Sequence, residues 1–410
     1  MADEDSATEA IGAHGTEGAH GASAVAPGPG SEGPVTIDAD HITTSTRDPH
    51  QMAQQLEQWL TGKLGAERPP SITDVSSPEG NGMSSETLLF TARWDEADGR
   101  VERRLVARIE PPATDCPVFT TYDLEMQFRV MRLVRAETTV PVPETLWYES
   151  DPSVLGGPFF VMERIDGLVP PDVMPYTFAD NWVFDAADAD RRVVQESAIE
   201  ALAGIHAITP DAYDLAFLQL DQPGATSLDR CLSHWRDYHD WVVKDRPSPL
   251  LARCFTWLWD NLPTDVGADV LSWGDSRIGN MMFRDHRVVA VLDWEMAAVA
   301  PPEIDIGWMC YLHLFFQDLA VQMSAPGLPQ MFRPVDVAAS YAALSGRTPG
   351  DLTWHIAFAA MRHGVIMRRV TERSIFFGEA EPPDDVDDLI IHRDSLRAML
   401  DGSYWAGIAL

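Results

Sequence analysis

Lysine is nearly missing from this sequence: 410 residues hold only Lys63 and Lys244, so almost every positive charge is an arginine. A mechanism built on a catalytic lysine has almost nowhere to place it. Cysteine is scarce as well, and Cys116, Cys231, Cys254 and Cys310 lie far apart with no C-x-x-C pair. That spacing excludes a zinc knuckle and a disulfide framework and predicts buried free thiols. Positive charge is outnumbered, Lys+Arg 30 against Asp+Glu 63, for a net −33. The resulting field repels polyanions, which excludes nucleic acid and anionic membrane surfaces as partners. No apolar run approaches the roughly 20 residues of a membrane span. The N-terminus also lacks the basic start and apolar stretch of a signal peptide. A cytoplasmic protein is expected. What remains is ordinary for a globular chain, with 45% hydrophobic residues, 13 Trp and 16 Phe, enough for two or three cores at roughly 150 residues per domain.

The first 45 residues are rich in Ala, Gly, Glu, His and Ser, carry eight acidic residues and no Lys or Arg, and show no apolar period. They are expected to form a disordered tail, because so little apolar surface cannot offset chain entropy. From Asp48-Pro49 a helix is predicted, with Met52, Leu56, Trp59 and Leu60 on one face. Ser85 to Trp94 and Val101 to Glu110 read as strands joined by a turn cluster, Asp95 to Gly99. A helix over Tyr122 to Arg135 follows, then short strands at Glu144 to Tyr148 and Pro158 to Arg164. After Gly167 the apolar spacing becomes helical, as in Val194, Ala198, Leu202 and Ile205, then Leu228, Leu232, Trp235 and Val242. One β interruption, Val270 to Trp273, Met281 to Phe283 and Val288 to Leu292, breaks this helical half. Loops between short strands can aim several side chains at one point.

The interruption reads Trp273-Gly274-Asp275-Ser276-Arg277-Ile278-Gly279-Asn280, then Asp293-Trp294-Glu295. Asp275 and Asn280 are five apart, and Asp293 lies thirteen beyond Asn280. Phosphoryl transfer needs one carboxylate to orient an attacking hydroxyl and accept its proton. It also needs an amide oxygen and a second carboxylate to hold magnesium on the nucleotide phosphates. Asp275, Asn280 and Asp293 supply those groups at the spacing of the protein-kinase template. A second triplet, His392-Arg393-Asp394, imitates the kinase catalytic loop. It has Met399 where the asparagine belongs, and is expected to be a coincidence on a helix surface.

The run Leu271 to Asn280 with Val291 to Ala297 resembles the aminoglycoside-phosphotransferase and choline-kinase superfamily. Within it, the run looks in particular like the branch related to the kinase-like domains associated with acyl-CoA dehydrogenases. Val140 to Pro143, Gly157 to Glu163, Leu202 to His206 and Pro301 to Asp305 are similar to further landmarks, and the likeness spans roughly residues 48 to 400. It implies a two-lobed, protein-kinase-like α+β fold with ATP bound between the lobes. Residues 46–165 would form a nucleotide-binding N-terminal lobe and 166–410 a helical catalytic and substrate lobe. It also implies Asp275 and Arg277 as catalytic residues and Asn280 and Asp293 as magnesium ligands. Asp305 would brace the catalytic loop, and His206 would be a structural histidine.

For the nucleotide, the resemblance implies Gly82 and Ser84 in a glycine-and-serine turn, Arg108 on the following strand, Gln127 on the helix, and Glu163 and Ile165 at the hinge. Three positions depart from the pattern. Arg108 stands where a lysine is usual, keeping the charge but presenting a planar fork. Strand alternation puts Val106 and Arg108 on one face and Ala107 and Ile109 on the other. Gln127 aligns with the usual glutamate while Glu125 lies two residues earlier. A two-residue helical step turns a side chain by about 200°, so only one of them can face Arg108. Trp273 replaces the usual histidine before Gly274. The function expected is ATP- and Mg2+-dependent phosphorylation of a hydroxyl on a small molecule. The alternative is a catalytically silent kinase-like module that binds a nucleotide or ligand.

Overall fold

The computed structural model describes residues 47–410 apart from 67, 78–84, 97–98 and 115. The expected tail, Gly82, Ser84 and the Ala97-Asp98 turn lie outside the described residues.

Helix α1 (Pro49–Leu64) begins where Asp48 Oδ1 accepts from the His50 N–H at 2.9 Å, with Pro49 in the first turn. Its buried face, Met52, Leu56, Trp59 and Leu60, covers a five-stranded antiparallel sheet. The strands are β1 (Ser71–Ser76), β2 (Glu86–Glu96), β3 (Gly99–Ile109), β4 (Thr145–Glu149) and β5 (Phe159–Glu163), in the order β1-β2-β3-β5-β4. Helix α2 (Leu124–Glu137) lies between β3 and β4 in the chain. It starts two residues later than the sequence predicts, because the Asp123 carboxylate caps it by accepting from Met126 N–H at 2.8 Å. Strand β1 is an addition to the expected sheet.

The alternation along β3 divides the sheet between two cores. Leu105, Ala107 and Ile109 join α1, Phe159 and Val161, whereas Val106 joins α2 and the large core of the helical half. Arg108 therefore leaves the sheet on the face turned toward the helices, as the alternation requires.

The second half contains α3 (Asp188–Ile205), α4 (Ser227–Val242), α5 (Pro249–Asp260), α6 (Glu303–Gln322), α7 (Pro334–Ser345), α8 (Thr353–Phe376) and α9 (Arg393–Asp401). Between α5 and α6 lie β6 (Val270–Ser272), β7 (Met281–Arg284), β8 (Arg287–Val291) and β9 (Ala298–Ala300). Strand β6 pairs with β9 and β7 with β8. Asp285 and His286, both at positive φ, make the turn of the second pair. The architecture is the expected mixed α+β fold. Among the described residues, no helix is long and apolar enough to cross a membrane.

Two local expectations need correction. Cys116 is only half-buried, unlike the other three free thiols. His392 is buried rather than on a helix surface: its ring stacks on His363 at 4.9 Å and its Nε2 donates to Ala360 O at 2.8 Å. Asp394 is exposed, and the triplet takes no part in the site.

Candidate active site

Hairpin β7–β8 explains why Asn280 and Asp293 meet. Met281 pairs with Val291, and Leu292 N–H donates to Asn280 O at 2.9 Å, so the residues just outside the paired strands are neighbours. Asn280 Nδ2 then reaches back to Asp275 Oδ2 at 2.6 Å. With its N–H2 committed, the amide offers its oxygen to a cation. The three residues matched by spacing therefore form one cluster.

Asp275 is 8% exposed and held from several sides. Trp308 Nε1 donates to its Oδ1 at 2.6 Å, and Arg277 Nε lies 3.2 and 3.3 Å from its two oxygens. Arg277 also pairs with Asp172 through NH1. Burial disfavours the Arg277 charge, but Asp172, Asp275 and Asp293 outweigh it and raise its pKa. Gly279 lies directly under that pair, where a Cβ would overlap both Asp172 Oδ2 and Arg277 NH1.

Asp293 sits in the left-handed region at φ 57°. Its backbone is held by Trp273, whose indole N–H donates to the carbonyls of Leu292 and Asp293 at 3.0 and 2.9 Å. Burial pushes the Asp293 carboxyl up from the ordinary range, opposed by Arg108 and reinforced by Asp275. A half-buried carboxylate beside an amide oxygen is a hard donor set suited to magnesium. Among the described residues no group of three or more His, Cys, Asp or Glu could hold a metal. A cation held by Asn280 and Asp293 would need further oxygen ligands from outside this pair.

The loop before Asp275 hangs from Asp305, which is fully buried. Its carboxylate accepts from Trp273 N–H and Gly274 N–H, each at 2.7 Å, and contacts His206 Nε2 at 2.9 Å. His206 Nδ1 lies 2.9 Å from Tyr341 OH. The brace implied for Asp305 and the structural part implied for His206 are both present.

Arg108 enters the cluster from the sheet, donating to Thr87 Oγ1 at 3.1 Å and pairing with Asp293 Oδ1 at 3.4 Å. Of the two candidates on α2, Glu125 is exposed and Gln127 is 2% exposed. Yet the structure does not join Gln127 to Arg108, and the Gln127 Nε2 is buried without a hydrogen-bond partner. Glu163 ends β5, where its N–H donates to Glu144 O at 2.8 Å, and Ile165 lies half-buried in the link that follows.

Residues beyond the sequence reading also shape the site. A small pocket with room for little more than one water molecule lies beside the loop, lined by Asp172, Tyr176, Arg277, His313, Phe316 and Phe332 among others. Asp172 lines it and keeps one carboxylate oxygen, Oδ1, buried without a hydrogen-bond partner. Trp308, on α6, reads in the sequence as one of many core aromatics of the helical half, with nothing there to tie it to Asp275.

The profile of a phosphotransferase enzyme family matches residues 87–325. A probable acyl-CoA dehydrogenase of Arabidopsis thaliana is 25% identical over 72% of this chain, and human acyl-CoA dehydrogenase family member 11 is 26% identical over 68%. The chain matches about a third of each of those proteins, 36% and 32% of their lengths. Among solved structures, a Ralstonia eutropha protein provisionally named an aminoglycoside phosphotransferase shares the fold. Its TM-score is 0.60 at 22% identity, covering 86% of this chain and 96% of that one. A mutant aminoglycoside phosphotransferase solved with AMP-PNP and hygromycin B gives 0.51 at 17% identity, with coverage of 87% and 100%.

Proposed function

This chain belongs to the phosphotransferase enzyme family, and from that premise we propose that it transfers the γ-phosphoryl group of ATP to a hydroxyl of a small molecule. The observation that carries the reading is the Asp275–Asn280–Asp293 cluster, in which three distant oxygen-bearing side chains meet through one hairpin. In this reading residues 46–165 form the nucleotide lobe and 166–410 the catalytic lobe, with Gly82, Ser84, Glu163 and Ile165 toward the nucleotide. The nucleotide in the related AMP-PNP complex supports ATP as the donor.

Asp275 orients the acceptor hydroxyl and accepts its proton as the oxygen attacks the γ-phosphorus. The bond from that phosphorus to the bridging oxygen breaks, and ADP leaves with the electron pair. Arg277 stands beside Asp275 with its charge secured by Asp172, ready to face the equatorial oxygens. Asn280 and Asp293 would hold magnesium, which when bound neutralises charge on the phosphates. Arg108 approaches from the sheet with a fork suited to phosphate. The acceptor binds against the helical lobe beside Asp275.

A second reading, a silent nucleotide- or ligand-binding module, draws on one observation: Arg108 pairs with Asp293 rather than with α2. The test is ADP production from Mg-ATP across aminoglycosides, hydroxyacyl-CoA compounds, choline-like alcohols and sugars. Acceptor-dependent ADP supports the transferase. Nucleotide binding with no ADP from any acceptor supports the silent module.

A further inference from the structure

The phosphotransferase reading leaves unexplained a buried cation behind the catalytic loop. Arg362, on α8, is 2% exposed, yet among the described residues no carboxylate lies within ion-pair distance of it. Its guanidinium lies over the rings of Trp308 at 4.4 Å and Trp235 at 4.7 Å. One nitrogen donates to Gly274 O at 2.9 Å, and its Nε is buried with no partner. Burial lowers its pKa to about 10, so it stays charged at neutral pH. A buried charge without an ion-pair partner is costly, and stacking on two indoles offsets only part of that cost.

The contacts of this cation converge on Asp275. Trp308, the ring it covers, donates its only N–H to Asp275 Oδ1, and Gly274, whose carbonyl it holds, is the residue before Asp275. Gly274 itself sits at φ 87°, where a Cβ would overlap Met296 O. Asp275 is thus fixed at its backbone and at one carboxylate oxygen from the core side. Arg362 is the group that touches both supports. On the opposite side Oδ1 lies 3.2 Å from Arg277 Nε.

We propose that Trp308 and Arg362 are positioning residues that set the carboxylate of Asp275 for the attacking hydroxyl. The proposal rests on the phosphotransferase reading for its purpose and on the geometry for its existence, and the two are tested separately. The geometry is read by NMR of the full chain labelled with 15N at the indole nitrogens. The Trp308 indole resonance, assigned by its loss in Trp308→Phe, sits downfield in the wild type and moves upfield in Asp275→Ala. A resonance that stays in place in Asp275→Ala overturns the proposal, whether or not the chain turns over ATP.

The purpose is read by Mg-ATP hydrolysis, with water as the acceptor. Trp308→Phe keeps the ring and removes the donor, so kcat falls about 10- to 100-fold, the worth of one hydrogen bond to a charged group, with the KM for ATP unchanged. Arg362→Lys keeps the charge without the fork and gives a smaller loss of the same kind. Wild-type kcat in both variants overturns the proposal, as does a rise in KM for ATP with kcat unchanged. If Trp308→Phe does not fold, Arg362→Lys alone decides by the same criterion. A coupled Trp308 resonance in a chain that yields no ADP with water or with any of the acceptors named above keeps the positioning contact and removes the transferase reading instead.

Discussion

The indole N–H of Trp273 donates to the carbonyl of Asp293 at 2.9 Å, so the residue that replaces the family's usual histidine fastens the backbone of the proposed magnesium ligand. The same N–H reaches Leu292 O at 3.0 Å, and the Trp273 ring lies 5.9 Å from that of Trp294. The departure from the motif therefore lies in how the loop is supported, and the oxygen donors are unchanged.

Trp273→Phe keeps the ring and removes this N–H, leaving two buried carbonyls short of a donor. It should destabilise the fold by about 1–3 kcal/mol. It should also weaken nucleotide binding with magnesium more than without, because Asp293 is then held less firmly in its left-handed conformation. Urea unfolding and calorimetry with and without magnesium check both parts.

Asp293→Ala should remove most of the magnesium dependence of ATP affinity, and Asn280→Ala a smaller part, since a carboxylate holds a hard cation better than an amide oxygen. Calorimetry on the wild type and both variants is the check. A wild-type affinity for ATP that is the same with and without magnesium would remove both ligand assignments.

Two glycines should respond in opposite directions to alanine. At Gly274, with φ 87° and Met296 O in the way of a Cβ, Gly274→Ala forces the backbone before Asp275 to move and should lower both melting temperature and turnover. Gly62 lies inside α1 with nothing within 4 Å of its would-be Cβ. Gly62→Ala should stabilise by about 0.5–1 kcal/mol through helix propensity alone. Thermal melts of the two variants decide the matter.

These contrasts show which parts of the site were legible in the sequence. Asp275, Asn280 and Asp293 could be read because one hairpin brings them together, so their spacing survives as a local pattern. Arg108 could be placed on the correct face because strand alternation is equally local. Trp308 and Arg362 reach the loop across 33 and 88 residues, and their surroundings in the sequence are ordinary buried helix. Gln127 aligned by position, but its failure to meet Arg108 is a matter of tertiary packing, which no sequence period encodes. Strand β1 escaped because it contains no buried residue and is irregular, with Asp74 at φ 55°.

Stability should fall on mild acidification because of two buried histidines. His313 Nε2 donates to Leu328 O at 3.1 Å, so its Nδ1 accepts from Tyr176 OH at 2.8 Å and the ring is neutral. His392 Nε2 likewise donates to Ala360 O. Burial pushes both down from 6.5 to about 4. Between those values the unfolded chain binds more protons than the folded one, so stability drops as pH falls from 6.5 toward 4. The loss is roughly 3 kcal/mol per ring at most. Urea midpoints at pH 7 and pH 5 test this, and His313→Gln with His392→Gln should narrow the difference without removing it, because burial also lowers His234, His239, His355 and His363.

The central claim is that Asp275 serves the acceptor hydroxyl and leaves the nucleotide alone. The most direct measurement is ADP release from Mg-ATP in Asp275→Asn beside the wild type, with ATP affinity measured on the same samples. The account predicts near-equal affinity and a turnover lower by about 10²-fold or more, the cost of a misplaced nucleophile and a lost base. Equal turnover in the two proteins, or a loss confined to ATP affinity, would contradict it.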